Sequence, residues 1–153
     1  MNLLGRPIGD AVTFAAWVEA YGSYDDNRIV FRQGGVEYVV DSMERPRYFT
    51  AFKQIDGKAL KVGTLSLQLG LKHDGKEYLR IESVDVDKKH RRQRIGHMLY
   101  LAALKVLKQS GYGGLLSRDE DVAAKKFVNK TRQRLSAYNP EPDNPGLWLI
   151  DAR

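Results

Sequence analysis

The stretch that most constrains the fold runs from Val84 to Lys108. Its second half carries Ile95, Met98, Leu99, Leu101, Ala102, Leu104, Val106 and Leu107, so a helix over Ile95–Lys108 is apolar on most sides. A helix of that kind must be covered nearly all round, which makes it a buried element. Its first half ends a strand at Val84-Asp85-Val86 and turns through a basic run, Lys88-Lys89-His90-Arg91-Arg92-Gln93-Arg94. Beyond Gly111 and the pair Gly113-Gly114, Leu115-Leu116-Ser117 reads as a short strand. Strand, buried helix and strand over residues 78–117 predict a right-handed crossover with parallel ends.

The preceding chain predicts the opposite pairing. Arg28–Arg32 and Val36–Val40 flank Gln33-Gly34-Gly35, the composition of a hairpin. Arg45-Pro46 interrupts, and Arg47–Ile55 resumes as a strand. Asp56-Gly57 and Asp74-Gly75 are two-residue hairpin signals on either side of Ala59–Leu69, and Lys76–Val86 follows. Leu60 and Val62, then Leu65, Leu67 and Leu69, change face at Gly63 as a bulge would require. Phe14, Trp17, Val18 and Tyr21 fall on one helical stripe over residues 10–21, with Asp10 as N-cap, and core packing is preferred over a cleft role for Trp17 and Phe14. Ala124, Phe127, Val128, Thr131 and Leu135 share a second helical face, and Leu147–Ile150 closes the chain as a strand after an irregular, proline-bearing loop. The expectation is an α+β, mixed α/β fold: a central mixed, mostly antiparallel sheet with flanking helices.

Composition limits the function classes. One domain, residues 1–153, fits the length and the lack of any repeat or linker-like stretch. With no cysteine, thiolate metal sites, disulfides and cysteine nucleophiles are excluded. His73, His90 and His97 have no metal-type spacing, so no metal is expected. No apolar run reaches the roughly 18 residues of a membrane span and no signal-peptide form opens the chain, so cytoplasm is the expected location. A net charge of +6 points to an anionic ligand or partner.

The arginines sharpen that inference. A helix start carries about half a positive charge, so Arg91, Arg92 and Arg94 before Ile95 oppose the dipole at a few tenths of a kcal/mol each. A bound anion would reverse the penalty, whereas a solvated basic turn is the plain alternative. The run Arg91-Arg92-Gln93-Arg94-Ile95-Gly96 resembles the Arg/Gln-x-x-Gly-x-Gly/Ala loop of the GNAT-type N-acetyltransferase superfamily, with Arg94 in place of the first glycine and the second kept as Gly96. Val62-Gly63 with its alternating apolar residues also resembles that superfamily's third strand, and the resemblance spans roughly residues 47–152.

The resemblance implies a GNAT-like fold whose fourth and fifth strands splay apart at the coenzyme site. It implies acetyl-CoA as co-substrate, its pyrophosphate held by backbone N–H groups from Gln93, Arg94, Ile95, Gly96 and His97 beside Arg91 and Arg92. Arg94 would either reach the ribose phosphate or narrow the loop, and Lys88 and Lys89 are read as solvated. The pantetheine arm would lie between Val84, Asp85 and Val86 on one strand and Leu115–Ser117 on the next. Phe127 packs either on that arm or on the sheet. Glu82 is the candidate base, with pairing to Arg80 or Lys61 as its structural alternative; Arg80 stands where some members carry a base glutamate. Asp85 is expected on the opposite strand face. Val128 stands at the position of the usual tyrosine acid, leaving Tyr138 as a substitute donor or an exposed loop residue.

The leading expectation is therefore transfer of an acetyl group to a primary amine, on a small molecule or on a protein lysine or N-terminus. A silent GNAT-fold protein that binds coenzyme A or a partner protein is the second reading. Nucleic acid ranks last, because the basic loop lacks interleaved aromatics or a reading helix. The acceptor and the oligomeric state are not encoded in any recognisable pattern.

Overall fold

A computed structural model describes residues 24–25, 28–43, 47–121 and 125–152. The helix expected over residues 10–21 lies outside them. Among the described residues, eight strands form one sheet in strictly sequential order. They are β1 (Tyr24–Asp25), β2 (Arg28–Gln33), β3 (Val36–Met43), β4 (Tyr48–Ile55), β5 (Lys58–His73), β6 (Lys76–Val86), β7 (Gly114–Arg118) and β8 (Leu147–Asp151). Helix α1 (Ile95–Gln109) connects β6 to β7, and α2 (Lys125–Arg134) follows β7. The β6–β7 pair is parallel and all other neighbours are antiparallel.

The turns explain the antiparallel half. Asp56 and Gly57 have φ of 50° and 75°, and Asp74 and Gly75 have 51° and 78°. Positive φ at both central residues gives the turn twist that matches two paired strands, which Asp-Gly provides with little steric cost. Ile55 then pairs with Lys58 and His73 with Lys76. The expected change of face in β5 is present as a bulge: Ala51 pairs with Gly63 and Phe52 with Lys61, which leaves Val62 as the extra residue.

Helix α1 covers the face of the sheet that carries Val40, Phe49, Ala51, Leu65, Leu79 and Leu115. Met98 and Leu99 are fully buried, and burial of side chains this size stabilises by about 1.5–3 kcal/mol each. Gly63 is glycine for a packing reason. A Cβ there would stand 3.0 Å from the Asp85 carbonyl oxygen and 3.1 Å from Ile95 Cγ2, so the helix start rests directly on β5. Val128, Thr131 and Leu135 of the α2 region are buried as the periodicity requires. A smaller apolar cluster, Tyr78, Leu116, Leu147 and Leu149, closes the sheet near β8.

Candidate functional site

The parallel pair is short. Tyr78 pairs with Gly114, Leu79 with Leu115 and Arg80 with Leu116, and there the ladder stops. β6 continues six residues further to Val86, and β7 continues through Ser117 and Arg118, each bonded only to its outer neighbour, β5 or β8. Beyond Arg80 and Leu116 the inner edges diverge, and main-chain N–H and C=O groups facing such a gap need partners from elsewhere. The open end of the pair leads into the basic turn and the first residues of α1.

In that turn Asp87 accepts a bond from Lys89 N (3.0 Å) at the start of a 3-10 turn over Lys88–His90. Arg91 is extended and its Nε donates to the Val86 carbonyl at 3.3 Å. Arg92 and Arg94 both adopt left-handed backbone, φ 67° and 62°, which costs an L-residue about 1–2 kcal/mol each. Arg94 occupies the N-cap without a side-chain capping bond, and the helical ladder begins only with Met98 N donating to Arg94 O (3.1 Å). The N–H groups of Ile95 and Gly96 therefore keep the free direction that any helix start leaves.

The electrostatics are one-sided. Among the described residues, Arg91, Arg92 and Arg94 form no ion pair. Arg134, near the end of α2, brings its Nη1 to 3.3 Å from His97 Nδ1. Burial first, then Arg134 and Arg94, pushes His97 down to about 4, so the ring is neutral near pH 7. Burial and the neighbouring Arg134 also lower Arg94 from its ordinary value. Outward N–H donors, a helix dipole and uncompensated guanidinium groups fit a diphosphate by charge and by donor type.

The other expected residues distribute as follows. Val84 and Val86 are half-buried against the α1 core, whereas Asp85 is exposed. Leu67 pairs with Ile81 and Ser66 with Ser83, so Glu82 is the extra residue of a second bulge. Ile81 and Val84 therefore both take part in the core on the helix side, three residues apart, and strict alternation cannot assign Glu82 to the face of Val84. Glu82 is exposed and has no ion pair among the described residues. Arg80, named as its structural partner, instead binds Asp121 (Nε–Oδ2 2.8 Å, Nη2–Oδ1 2.5 Å) and Glu120 (3.2 Å).

Ser117 lies where β7 leaves β6, but its hydroxyl is turned to Arg132, whose Nη2 is 2.9 Å away. Arg132 is buried, pairs with Asp119 at 2.5 Å and stacks on Trp148 at 5.5 Å. Only the backbone of Ser117 remains to face the gap. Phe127 falls in α2, and its side chain is outside the described set. Tyr138 is at the far end of the parallel pair. Its hydroxyl donates to Asp151 Oδ1 (2.9 Å) and meets Tyr78 OH at 3.3 Å. Tyr78 begins the closed end of β6, six residues before Val84, roughly 20 Å along a strand. The proton-donor expectation for Tyr138 therefore meets a hydroxyl already committed at the opposite end.

The sequence reading missed Arg132, Arg134, Asp121 and the partners of Gln93. These residues meet the site from other elements, and no spacing within one element marks them.

A family model described as the acetyltransferase (GNAT) family matches residues 14–131. The chain belongs to the GNAT acetyltransferase family. Two solved structures share its fold at low identity. The crystal structure of a KacTA–DNA complex is 17% identical, with 71% of this chain and 70% of that chain covered and a TM-score of 0.51. The crystal structure of AtaTR bound with AcCoA is 14% identical, with 69% and 67% covered and a TM-score of 0.50. No curated relative matches the chain. The β6–β7 pair and the turn before α1 both lie within the residues that the family model matches.

Proposed function

We propose that the chain binds acetyl-CoA and transfers its acetyl group to a primary amine. The observation that carries the reading is the convergence of two features, the strand gap beyond Arg80 and Leu116 and the basic turn at the origin of α1, whose Arg91, Arg92 and Arg94 form no ion pair among the described residues. The AtaTR structure with AcCoA, a fold relative, is in keeping with it. In this reading the N–H groups of Arg94, Ile95 and Gly96 hold the pyrophosphate, with Arg91 and Arg92 adding charge. The inner edges of Val84–Val86 and Ser117 pair with the amide-bearing arm.

An amine must be neutral to attack a thioester carbonyl, so a base has to take its proton directly or through water. Glu82 is that base in this proposal. Its bulge re-aims one side chain out of the strand alternation beside the gap, and its carboxylate has no ion pair among the described residues. As the amine bonds to the carbonyl carbon, the carbon–sulfur bond breaks and the thiolate leaves. A thiolate is a much weaker base than an alkoxide or an amide anion, so it departs without strong acid assistance and can be protonated by water. That accommodates Val128, buried where a tyrosine would otherwise stand.

Val128 and the committed Tyr138 hydroxyl also favour a second reading, a coenzyme A-binding member without turnover. Incubation with acetyl-CoA and a panel of small amines and lysine peptides, with free thiol as readout, divides the two. Thiol release above the amine-free rate supports transfer. Binding without release under every amine supports the silent form. No binding of acetyl-CoA at all rejects both.

A further inference from the structure

Gln93 in the basic turn is half-buried, and three successive strands grip it. Its Oε1 accepts from Tyr38 OH on β3 and from Lys53 Nζ on β4, each at 3.0 Å. Its main-chain oxygen accepts from Gln33 Nε2 on β2, also at 3.0 Å. Tyr38 and Lys53 are direct cross-strand partners, so the two donors are presented side by side. Tyr38 is 3% exposed, which keeps its hydroxyl bond out of competition with bulk water.

The geometry has a consequence for the donors. Gln93 lies between the two left-handed arginines, Arg92 and Arg94. In a trans peptide the C=O and the following N–H point in opposite directions. Fixing the Gln93 carbonyl on Gln33 therefore aims the Arg94 N–H away from β2. Holding the side chain as well prevents the residue from rotating between its two strained neighbours. Neither effect needs Gln93 to touch a ligand.

We propose that Gln33, Tyr38 and Lys53 are positioning residues for phosphate binding: they act through Gln93 to hold the turn before α1 in its donor-outward form. This rests on the coenzyme reading above and assigns part of coenzyme affinity to strands β2–β4, remote from the gap. Gln93 thus serves the site with its backbone position, and its side chain is an anchor.

Two uncharged substitutions test this, Tyr38→Phe and Gln33→Leu; Lys53 is left intact because its ammonium group could attract phosphate directly. Calorimetry on the full chain compares CoA with pantetheine, which has the same thiol arm and no phosphates. Each variant is expected to weaken CoA about tenfold and leave pantetheine unchanged. Unchanged CoA affinity in both variants, or equal weakening of CoA and pantetheine, overturns the proposal. Should Tyr38→Phe fold poorly, Gln33→Leu at the strand end carries the test. Wild-type protein that does not bind CoA would remove the functional reading and this inference together. Wild type that binds, with variants that bind as tightly, would remove the inference alone.

Discussion

The two ends of the β6–β7 pair are built on opposite rules. At the closed end every polar group named has a partner: Tyr78 OH donates to Asp151 at 2.6 Å, Tyr138 OH donates to the same oxygen, and the His73 ring stands edge-on to Tyr78 at 6.2 Å. Even the space is used up, since a Cβ at Gly113 would meet the Tyr78 ring at 2.5 Å. At the open end the ladder stops, two arginines sit in strained backbone, and Arg91, Arg92 and Arg94 form no ion pair among the described residues. The closed end is what a chain does to be stable. The open end keeps strain and unmet bonding capacity that a ligand can relieve.

The contrast can be broken at either end. The largest effect expected is at the bulge: Glu82→Gln should lower the turnover rate by about 10²–10⁴-fold, the usual range for a lost general base, while CoA affinity stays unchanged. Equal turnover would remove Glu82 from the chemistry.

His97 offers a pH test of the open end. Its folded value of about 4 lies below the ordinary 6.5, so between pH 6.5 and 4 the unfolded chain binds the extra proton. This group's contribution is therefore complete above pH 6.5 and is lost as pH falls toward 4, amounting to at most about 3 kcal/mol. His97→Gln should flatten the fall of melting temperature across that window relative to wild type. Parallel curves for the two proteins would mean that His97 does not resist protonation.

At the closed end, Asp151→Ala leaves two tyrosine hydroxyls without their acceptor and should cost about 2 kcal/mol in chemical denaturation, with coenzyme affinity unaffected. Tyr138→Phe is the mildest change, about 1 kcal/mol, with no loss of turnover. A hundredfold drop in turnover at unchanged stability would instead place that hydroxyl in the reaction.

Much of this arrangement is legible in the amino-acid sequence. The Asp-Gly turns dictated the meander because their backbone twist suits paired strands, and the run from Ile95, apolar on most sides, demanded a covered helix between two parallel strands. The alternation slip at Gly63 announced the β5 bulge, since apolar residues mark which face is buried. The β6 bulge left the same kind of mark, since Leu79 and Ile81 give way to Val84 and Val86 with two polar residues between, and strict alternation read through it missed the shift at Glu82. The partners of Gln93 were hidden for a different reason. Tyr38 and Lys53 lie 55 and 40 residues away, and their hydrogen bonds exist only once β3 and β4 are paired. Arg80 was misread for lack of the same long-range information: its carboxylates come from the turn after β7, not from a strand neighbour.

The central claim is that the basic turn is tolerated because a diphosphate completes it. Thermal unfolding with and without acetyl-CoA, on wild type, Arg92→Glu and Asp151→Ala in parallel, tests it most directly. At a hundred times the dissociation constant the ligand contributes about 2.7 kcal/mol, a rise of roughly 5–10 °C for a chain of this size. The account predicts that rise in wild type and in Asp151→Ala, and none in Arg92→Glu. The same rise in Arg92→Glu as in wild type, or no rise in any of the three, would contradict it.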